Sequence, residues 1–384
     1  MQDTDPAPSS RQAPSLVDWL RLERTPGVGP VAVQRLLQRF DHPPAIFSAD
    51  HDALLACVSG TVARALRAPL DQRTMAYIDQ VQAWLALPGN HVLTLDDPDY
   101  PPLLRHIPDP PVLLYVKGRI DLLGAPAVAI VGSRNASVQG VSNAGAFGCA
   151  LSTSGLTIVS GLALGIDAAA HEGGLRGPGS TVAVVGTGID RIYPRANEDL
   201  ARRIAAQGCL VSEYSLGTRP LPENFPRRNR LISGLSSAVL VVEAAASSGS
   251  LITARIANDQ GRDVFALPGS IHAPLAKGCH KLIKQGAKLV ETAADLLDEL
   301  RLTPQAALGP AAAPDYCGEY QALLLALGHG PVGADALAAR CDLAPGLLAG
   351  QLLALELAGH VERLPGGMFQ RLDGATGLCR SELN

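Results

Sequence analysis

Lysine is nearly absent from the chain, with five residues among 384, while Lys and Arg together number 32. Positive charge therefore rests on arginine, whose planar fork matches pairs of phosphate or carboxylate oxygens where an ammonium offers only a point charge. Acids exceed bases by four, so the whole molecule does not attract polyanions, and any such site must be a local concentration of charge. Aromatic residues are also scarce, at 4%. Seven cysteines form neither a CxxC pair nor the paired spacing of a zinc site. Only Cys279–His280 puts cysteine beside histidine, and adjacent residues make poor joint ligands, so no metal is expected. No apolar signal segment opens the sequence and no run of 18 apolar residues occurs, which implies no membrane partner. Unpaired thiols without an export signal imply the cytoplasm. GxxxxGK[ST] is missing, which excludes P-loop ATP hydrolysis. VGSRNASVQG is not GxGxxG and no ribose-binding acid follows it, which disfavours a nicotinamide dehydrogenase. No nucleophile–base pair stands out, so neither catalytic residues nor a cofactor are expected.

Residues 1–14, rich in Pro, Ser, Asp and Gln, read as a disordered leader, and 15–90 as a helical domain with breaks at Pro43–Pro44 and near Ser59–Gly60. Within it RTPGVGPVAVQRLLQRF outlines a helix-hairpin-helix, although Pro30 removes one of the amides such a turn offers to phosphate. Leu93 to Gly118 is proline-rich and expected to be extended, ending in a strand. Across 91–300 short apolar runs alternate with helical segments: AVAIV (127–131), LTIVS (156–160), TVAVV (181–185), CLVS (209–212), AVLVV (238–242), DVFAL (263–267) and AKLV (287–290). That pattern predicts an α/β fold, a doubly wound Rossmann-like parallel sheet covered on both faces. Small-residue loops follow most strands and would share the carboxyl edge, where ligands bind. An Ala/Pro linker (301–314) leads to a winged-helix outline (315–374) and a tail (375–384). Between Tyr316 and Asp373 that last domain carries six acids against Arg340, Arg363 and Arg371. Its presumed reading helix, PGLLAGQLLALELAGH, has no Lys or Arg, so a protein contact or packing role is expected of it rather than duplex binding.

The basic concentration lies at RPLPENFPRRNRLISGLSS, residues 219–237. Arg227, Arg228 and Arg230 stand beside Phe225, with Pro222 and Pro226 expected to hold an extended approach. Guanidinium groups next to one ring suit an unpaired polynucleotide, although a solvated surface loop has the same composition. Four of the five lysines, Lys277, Lys281, Lys284 and Lys288, fall within an acid-free stretch and would line one face if helical. Ser247 to Ser250 precede the helix-like LITARIANDQ, where hydroxyls can cap amides or receive a phosphate. Asp167 reads as a cap, His171 as a packed histidine, and Glu243 as a partner that orients Arg134 or Arg255.

Six ordered blocks resemble the DNA-processing protein A (DprA/Smf) family of bacterial transformation proteins: VAIVGSRNAS (128–137), SGLALGIDAAAHEGGL (160–175), VAVVGTGIDRIYPRAN (182–197), SEYSLGTRPLPENFPRRNRLISGLS (212–236), VVEAAASSGSLITARIANDQGRDVFALPGS (241–270) and KGCHKLIKQGAKLV (277–290). The resemblance implies a Rossmann-like domain that binds single-stranded DNA, forms a homodimer and hands the strand to RecA. It also implies an N-terminal domain of the SAM/helix-hairpin-helix kind and a C-terminal winged helix. Carried over residue by residue, Arg134 binds a phosphate supported by amides around Gly132 and Ser133. Phe225 becomes the base platform, Arg227 or Arg228 the phosphate contacts, and Asn229 and Arg230 orient the loop or touch the backbone. Ser160, Gly161, Ser247, Gly249, Ser250, Lys277 and Lys281 complete the nucleic-acid-binding set. The alternative is a nucleotide hydrolase like the phosphoribohydrolases of the same fold class. Those use a PGGxGTxxE loop, and SSGSLITAR supplies no acid in the corresponding place.

Overall fold

The computed structural model describes residues 15–302, 320–328 and 330–372. The expected leader, residues 303–314 of the linker and the tail lie outside the described residues. The described strands are β1 (Asn90–Thr94), β2 (Leu113–Gly118), β3 (Ala127–Val131), β4 (Thr157–Ser160), β5 (Thr181–Val184), β6 (Cys209–Ser212), β7 (Ala238–Val241), β8 (Asp263–Ala266), β9 (Lys288–Leu289), β10 (Val332–Gly333), β11 (Val361–Leu364) and β12 (Met368–Arg371). They fall in two compact units, Met1–Ala125 with Val182–Leu235, and Pro126–Thr181 with Ser236–Asn384.

The first unit begins with helix Leu16–Arg24, fixed at its start by a capping box between Ser15 and Asp18. Pro30 and Pro43 each occupy the first turn of the helix they open, Pro30–Phe40 and Pro43–Ser48, where a missing N–H costs nothing. In the hairpin turn the Val28 amide donates to the Thr25 carbonyl, so with Pro30 the turn has two fewer amides to offer an anion. The strands of this unit run in the order β1-β2-β6-β5. β2 is antiparallel to both neighbours and β5 is parallel to β6, so this part of the sheet is mixed where the sequence pattern predicted a parallel one. The segment Leu93–Gly118, expected to be extended, holds the end of β1, a short helix Pro102–Arg105 and β2. Pro101 and Pro102 are compatible with that helix because they sit at its cap and first position. The helices join the strands through a buried polar chain. Tyr115 on β2 and Ser215 each donate to the Glu23 carboxylate at 2.9 Å, and Tyr77 bonds Tyr115 at 2.7 Å while accepting from the Leu216 amide. Burial pushes the Glu23 carboxyl up, and burial together with the Glu23 charge pushes the Tyr77 hydroxyl up to about 12.

In the second unit the strand order is β4-β3-β7-β8-β9, parallel throughout. β3, β4 and β7 are buried at every position, as uniformly apolar strands covered on both faces must be. Helices Val138–Thr153 and Ile166–Gly174 touch through backbone: a Cβ at Gly173 would lie 2.2 Å from the Gly145 carbonyl oxygen. The core gathers Ile130, Phe147, Leu151, Ile158, Leu240 and Phe265.

Helices Gln321–Leu327, Ala334–Cys341 and Pro345–Leu357 pack with the small sheet β10-β12-β11 around Leu323, Leu327, Leu337, Leu348, Leu352 and Leu355. Gly366 and Gly367 take positive φ in the turn between β11 and β12, which only glycine adopts without strain. This is a winged helix. Its helix Pro345–Leu357 leaves Leu347, Leu353 and Leu357 exposed and carries no cation.

Candidate nucleic-acid interface

The arginine-rich element is a helix, Asn224–Gly234, and not the extended loop its prolines suggested. Pro226 falls in the first turn, where no intrahelical N–H bond is lost. Helical spacing then separates arginines that are adjacent in sequence. Asn224, Arg228 and Leu231 share the buried face. Asn224 Nδ2 donates to the Gly186 carbonyl at 3.1 Å, and Arg228 Nη1 donates to the Val184 carbonyl at the end of β5. Arg230 is buried between Glu213 at 2.5 Å and Asp109 at 2.8 Å. Arg228 and Arg230 therefore fasten the helix and do not present their charge to a ligand, which removes Arg228 from the expected phosphate contacts and leaves Arg230 the orienting role and not the backbone contact. Arg227 is exposed, Asn229 is half-buried, and the Asn229 carbonyl accepts from Ser233. Burial pushes the Glu213 carboxyl up against the opposing pull of Arg230 and Arg227.

Phe225 is half-buried, and Gly186 lies so close that a Cβ there would sit 3.0 Å from the ring's Cδ1. Its other ring neighbour is Tyr193, centroid to centroid 5.4 Å at 44°. Tyr193 is 47% exposed and was not among the residues expected from the sequence. The alternation Arg191, Tyr193, Arg195 is the signal that could have marked it.

In the second unit the loop after β3 carries Gly132, Ser133 and Arg134. The Ser133 amide donates to the Glu243 carbonyl at 2.8 Å, and the Ser133 carbonyl accepts from Ile166 at 3.2 Å. A Cβ on Gly132 would come within 2.6 Å of the Ile166 side chain. The Ser133 amide is thus committed to Glu243 and Gly132 is packed closely against Ile166, while Arg134 offers an exposed cationic side chain. The Glu243 carboxylate bonds neither Arg134 nor Arg255 as expected. It accepts from the Ser137 amide at 2.9 Å and the Ser137 hydroxyl at 2.5 Å, holding the start of helix Val138–Thr153.

Ser160 is fully buried with its hydroxyl on the Ile130 carbonyl at 2.6 Å, and the Gly161 amide donates to Asp167 at 3.1 Å, so both leave the binding set. Asp167, at the start of its helix, accepts from the Gly161 and Ala163 amides of the loop before it. His171 is packed: its Nε2 accepts from the Leu162 amide and its Nδ1 meets Thr181, whose hydroxyl donates to the Ile158 carbonyl. Acceptance at Nε2 places the proton on Nδ1, a neutral ring with both nitrogens engaged. Ser247 and Gly249 are exposed. Ser250 is buried, its hydroxyl bonded to that of Ser248 at 2.7 Å and its amide donating to the same Ser248 oxygen.

The lysines are only partly collinear. Lys277, Lys281 and Lys284 are exposed on helix Lys277–Lys284, beside a groove of about 580 Å³ that also includes Ile271 and His280. Lys277 donates to the Ile271 carbonyl. The helix ends at Gln285–Gly286, and Lys288 sits on β9 paired with Glu299, so it leaves the expected stripe. Among the described residues no group of three His, Cys, Asp or Glu side chains could hold a metal ion, and no helix is long and apolar enough to cross a membrane.

A Rossmann-like α/β domain flanked by a helical hairpin domain and a winged helix, with cationic side chains on loops and helices that follow its strands, defines the class. The family model described as DNA recombination-mediator protein A matches residues 91–301, with a DprA-like N-terminal HHH domain at 14–49 and a DprA winged helix domain at 293–367. The chain belongs to this DprA/Smf family. It is 38% identical to Protein Smf of Synechocystis sp. over 92% of this chain and 98% of that one. The X-ray structure of DNA processing protein A from Streptococcus pneumoniae is similar with a TM-score of 0.63 and 38% identity, over 73% of this chain and 97% of that chain. DNA processing protein A from Helicobacter pylori, whose structure describes its single-stranded DNA binding mode, matches with a TM-score of 0.51 and 31% identity, over 55% of this chain and 96% of that chain.

Proposed function

We propose that this protein binds single-stranded DNA as a recombination mediator, protects incoming strands during natural transformation and loads RecA onto them. The observation that carries the reading is the location of exposed cations in a chain of net charge −4: Arg134 after β3, Arg227 in the first turns of helix Asn224–Gly234, and Lys277 and Lys281 on one short helix. Exposed cations on a molecule of net negative charge favour binding of a polyanion at those positions over general adhesion. Stacking on one ring contributes about 1–3 kcal/mol per base, and micromolar affinity needs about 8 kcal/mol, so phosphate contacts supply most of the binding. The described single-stranded DNA binding mode of the H. pylori relative supports the same ligand. RecA as partner and a homodimer belong to this reading through the family resemblance, and a cytoplasmic location through the unpaired thiols. A mediator that binds the strand without altering it belongs to the same reading.

Arg134→Ala tests the reading. It should weaken binding to an unpaired oligonucleotide strongly while leaving the unfolding midpoint in place. Equal affinity of parent and variant, or release of free base from nucleoside monophosphates by the parent, would sink it.

A further inference from the structure

Phe225 was the ring expected to receive a base, yet it is the inner member of a pair. Gly186 packs close against it, Tyr193 lies 5.4 Å away at 44°, and Phe225 is half-buried while Tyr193 is 47% exposed. Rings at about 4.5–7 Å are already in direct contact, so no base fits between these two. The accessible aromatic surface belongs to Tyr193. The stretch leading to it is anchored: Thr187 Oγ1 donates to the Arg191 carbonyl at 2.5 Å, the Gly188 amide donates to the Thr218 carbonyl at 3.0 Å, and Asp190 accepts from the Gly217 amide at 2.8 Å.

Those anchors place Arg191 and Arg195 on the loop of Tyr193, Arg219 next to Thr218, and Arg227 two residues beyond Phe225. All four are exposed. The side chains of Arg191, Arg195 and Arg219 make no hydrogen bond or ion pair among the described residues. The exposed acids of the same segments are Asp190, occupied by Gly217, and Glu223. Exposed cations on the segments that carry and anchor one solvent-facing ring suit an unpaired strand, with phosphates on the guanidinium groups and a base on the ring.

We infer that Tyr193 is the outer stacking surface for a nucleobase, held in place by Phe225 beneath it, and that Arg191, Arg195 and Arg219 contact the phosphates flanking that base. This rests on the single-strand reading above and names a subsite within it. A buttress for Phe225 and a platform for a base make different predictions on a strand that lacks bases.

The experiment compares the full chain with Tyr193→Leu and Tyr193→Phe, on an oligothymidylate and on the same strand made abasic at its central positions. Tyr193→Leu should lose roughly five- to 150-fold in affinity for the oligothymidylate, the equivalent of stacking one base. On the abasic strand it should match the parent, and Tyr193→Phe should bind both strands as the parent does. An equal loss on both strands would make Tyr193 a structural support and overturn the inference. So would parental affinity of Tyr193→Leu for the oligothymidylate. If the parent itself fails to bind unpaired DNA, the single-strand reading falls and this subsite falls with it.

Discussion

Arg230 and Glu213 meet at 2.5 Å with side chains 7% and 6% exposed, so a guanidinium that looks in sequence like a phosphate contact is the partner of a buried carboxylate. Removing one member of a buried pair strands the other. Arg230→Ala should therefore destabilise the fold by about 3–5 kcal/mol, read as a lower denaturant midpoint. Arg227→Ala, on the exposed face of the same helix, should change stability by no more than about 0.5 kcal/mol and weaken strand binding. The reverse pattern would mean the two arginines have been assigned to the wrong faces.

Glu23 gives a pH dependence of known sign. Burial raises its carboxyl above the ordinary value despite the hydroxyls of Tyr115 and Ser215, which favour the ion. A raised carboxyl binds its proton more tightly in the folded chain. Its contribution is complete below the ordinary glutamate value of about 4.3 and is lost as pH rises through the folded value. Glu23→Gln removes that loss. Unfolding midpoints taken between about pH 4 and pH 8 should show the variant gaining on the parent as pH rises. A constant difference between the two would contradict the assignment.

Gly132 supplies a third case. A methyl group there would meet Ile166 at 2.6 Å and the Glu243 carbonyl oxygen at 2.9 Å. Gly132→Ala should cost about 1–3 kcal/mol by overpacking, and its strand affinity, measured on the folded fraction, should stay within a few-fold of the parent. Loss of affinity without loss of stability would return Gly132 to the ligand.

The winged helix yields a fourth. Helix Pro345–Leu357 exposes Leu347, Leu353 and Leu357 and no cation, and a reading helix without phosphate contacts has no electrostatic hold on duplex DNA. Leu353→Arg, which places a cation on that face, should raise duplex affinity, while the parent should show no duplex binding traceable to this domain. Protection of the helix by duplex DNA in hydrogen exchange would contradict that.

How far the sequence carries depends on the kind of residue. β3 and β7 were legible because a strand buried on both faces is apolar at every position, and AVAIV and AVLV admit little else. β1 was partly hidden because NHVLT opens on two polar residues. The helix Asn224–Gly234 was obscured by Pro222 and Pro226, which read as extended chain until the helix start is known. Three arginines in four positions look alike in sequence. Only the folded chain separates Arg227 from Arg228 and Arg230, because Val184, Glu213 and Asp109, which bury the latter two, come from distant segments. Ser160 was misplaced for the same reason, since its hydroxyl goes to Ile130 on another strand, whereas the Gly161 amide is taken by Asp167 six residues on. Tyr193 went unnoticed because its ring partner lies on another element.

The central claim is that an unpaired strand is held mainly through its phosphates by exposed arginines and lysines on an acidic protein. A salt titration of binding to single-stranded and duplex oligonucleotides of equal length tests it most directly. With about four phosphates neutralised per protomer, log affinity for the single strand should fall against log salt with a slope near −3, and the single strand should be preferred throughout. A slope near zero, or tighter binding to the duplex, would contradict the account.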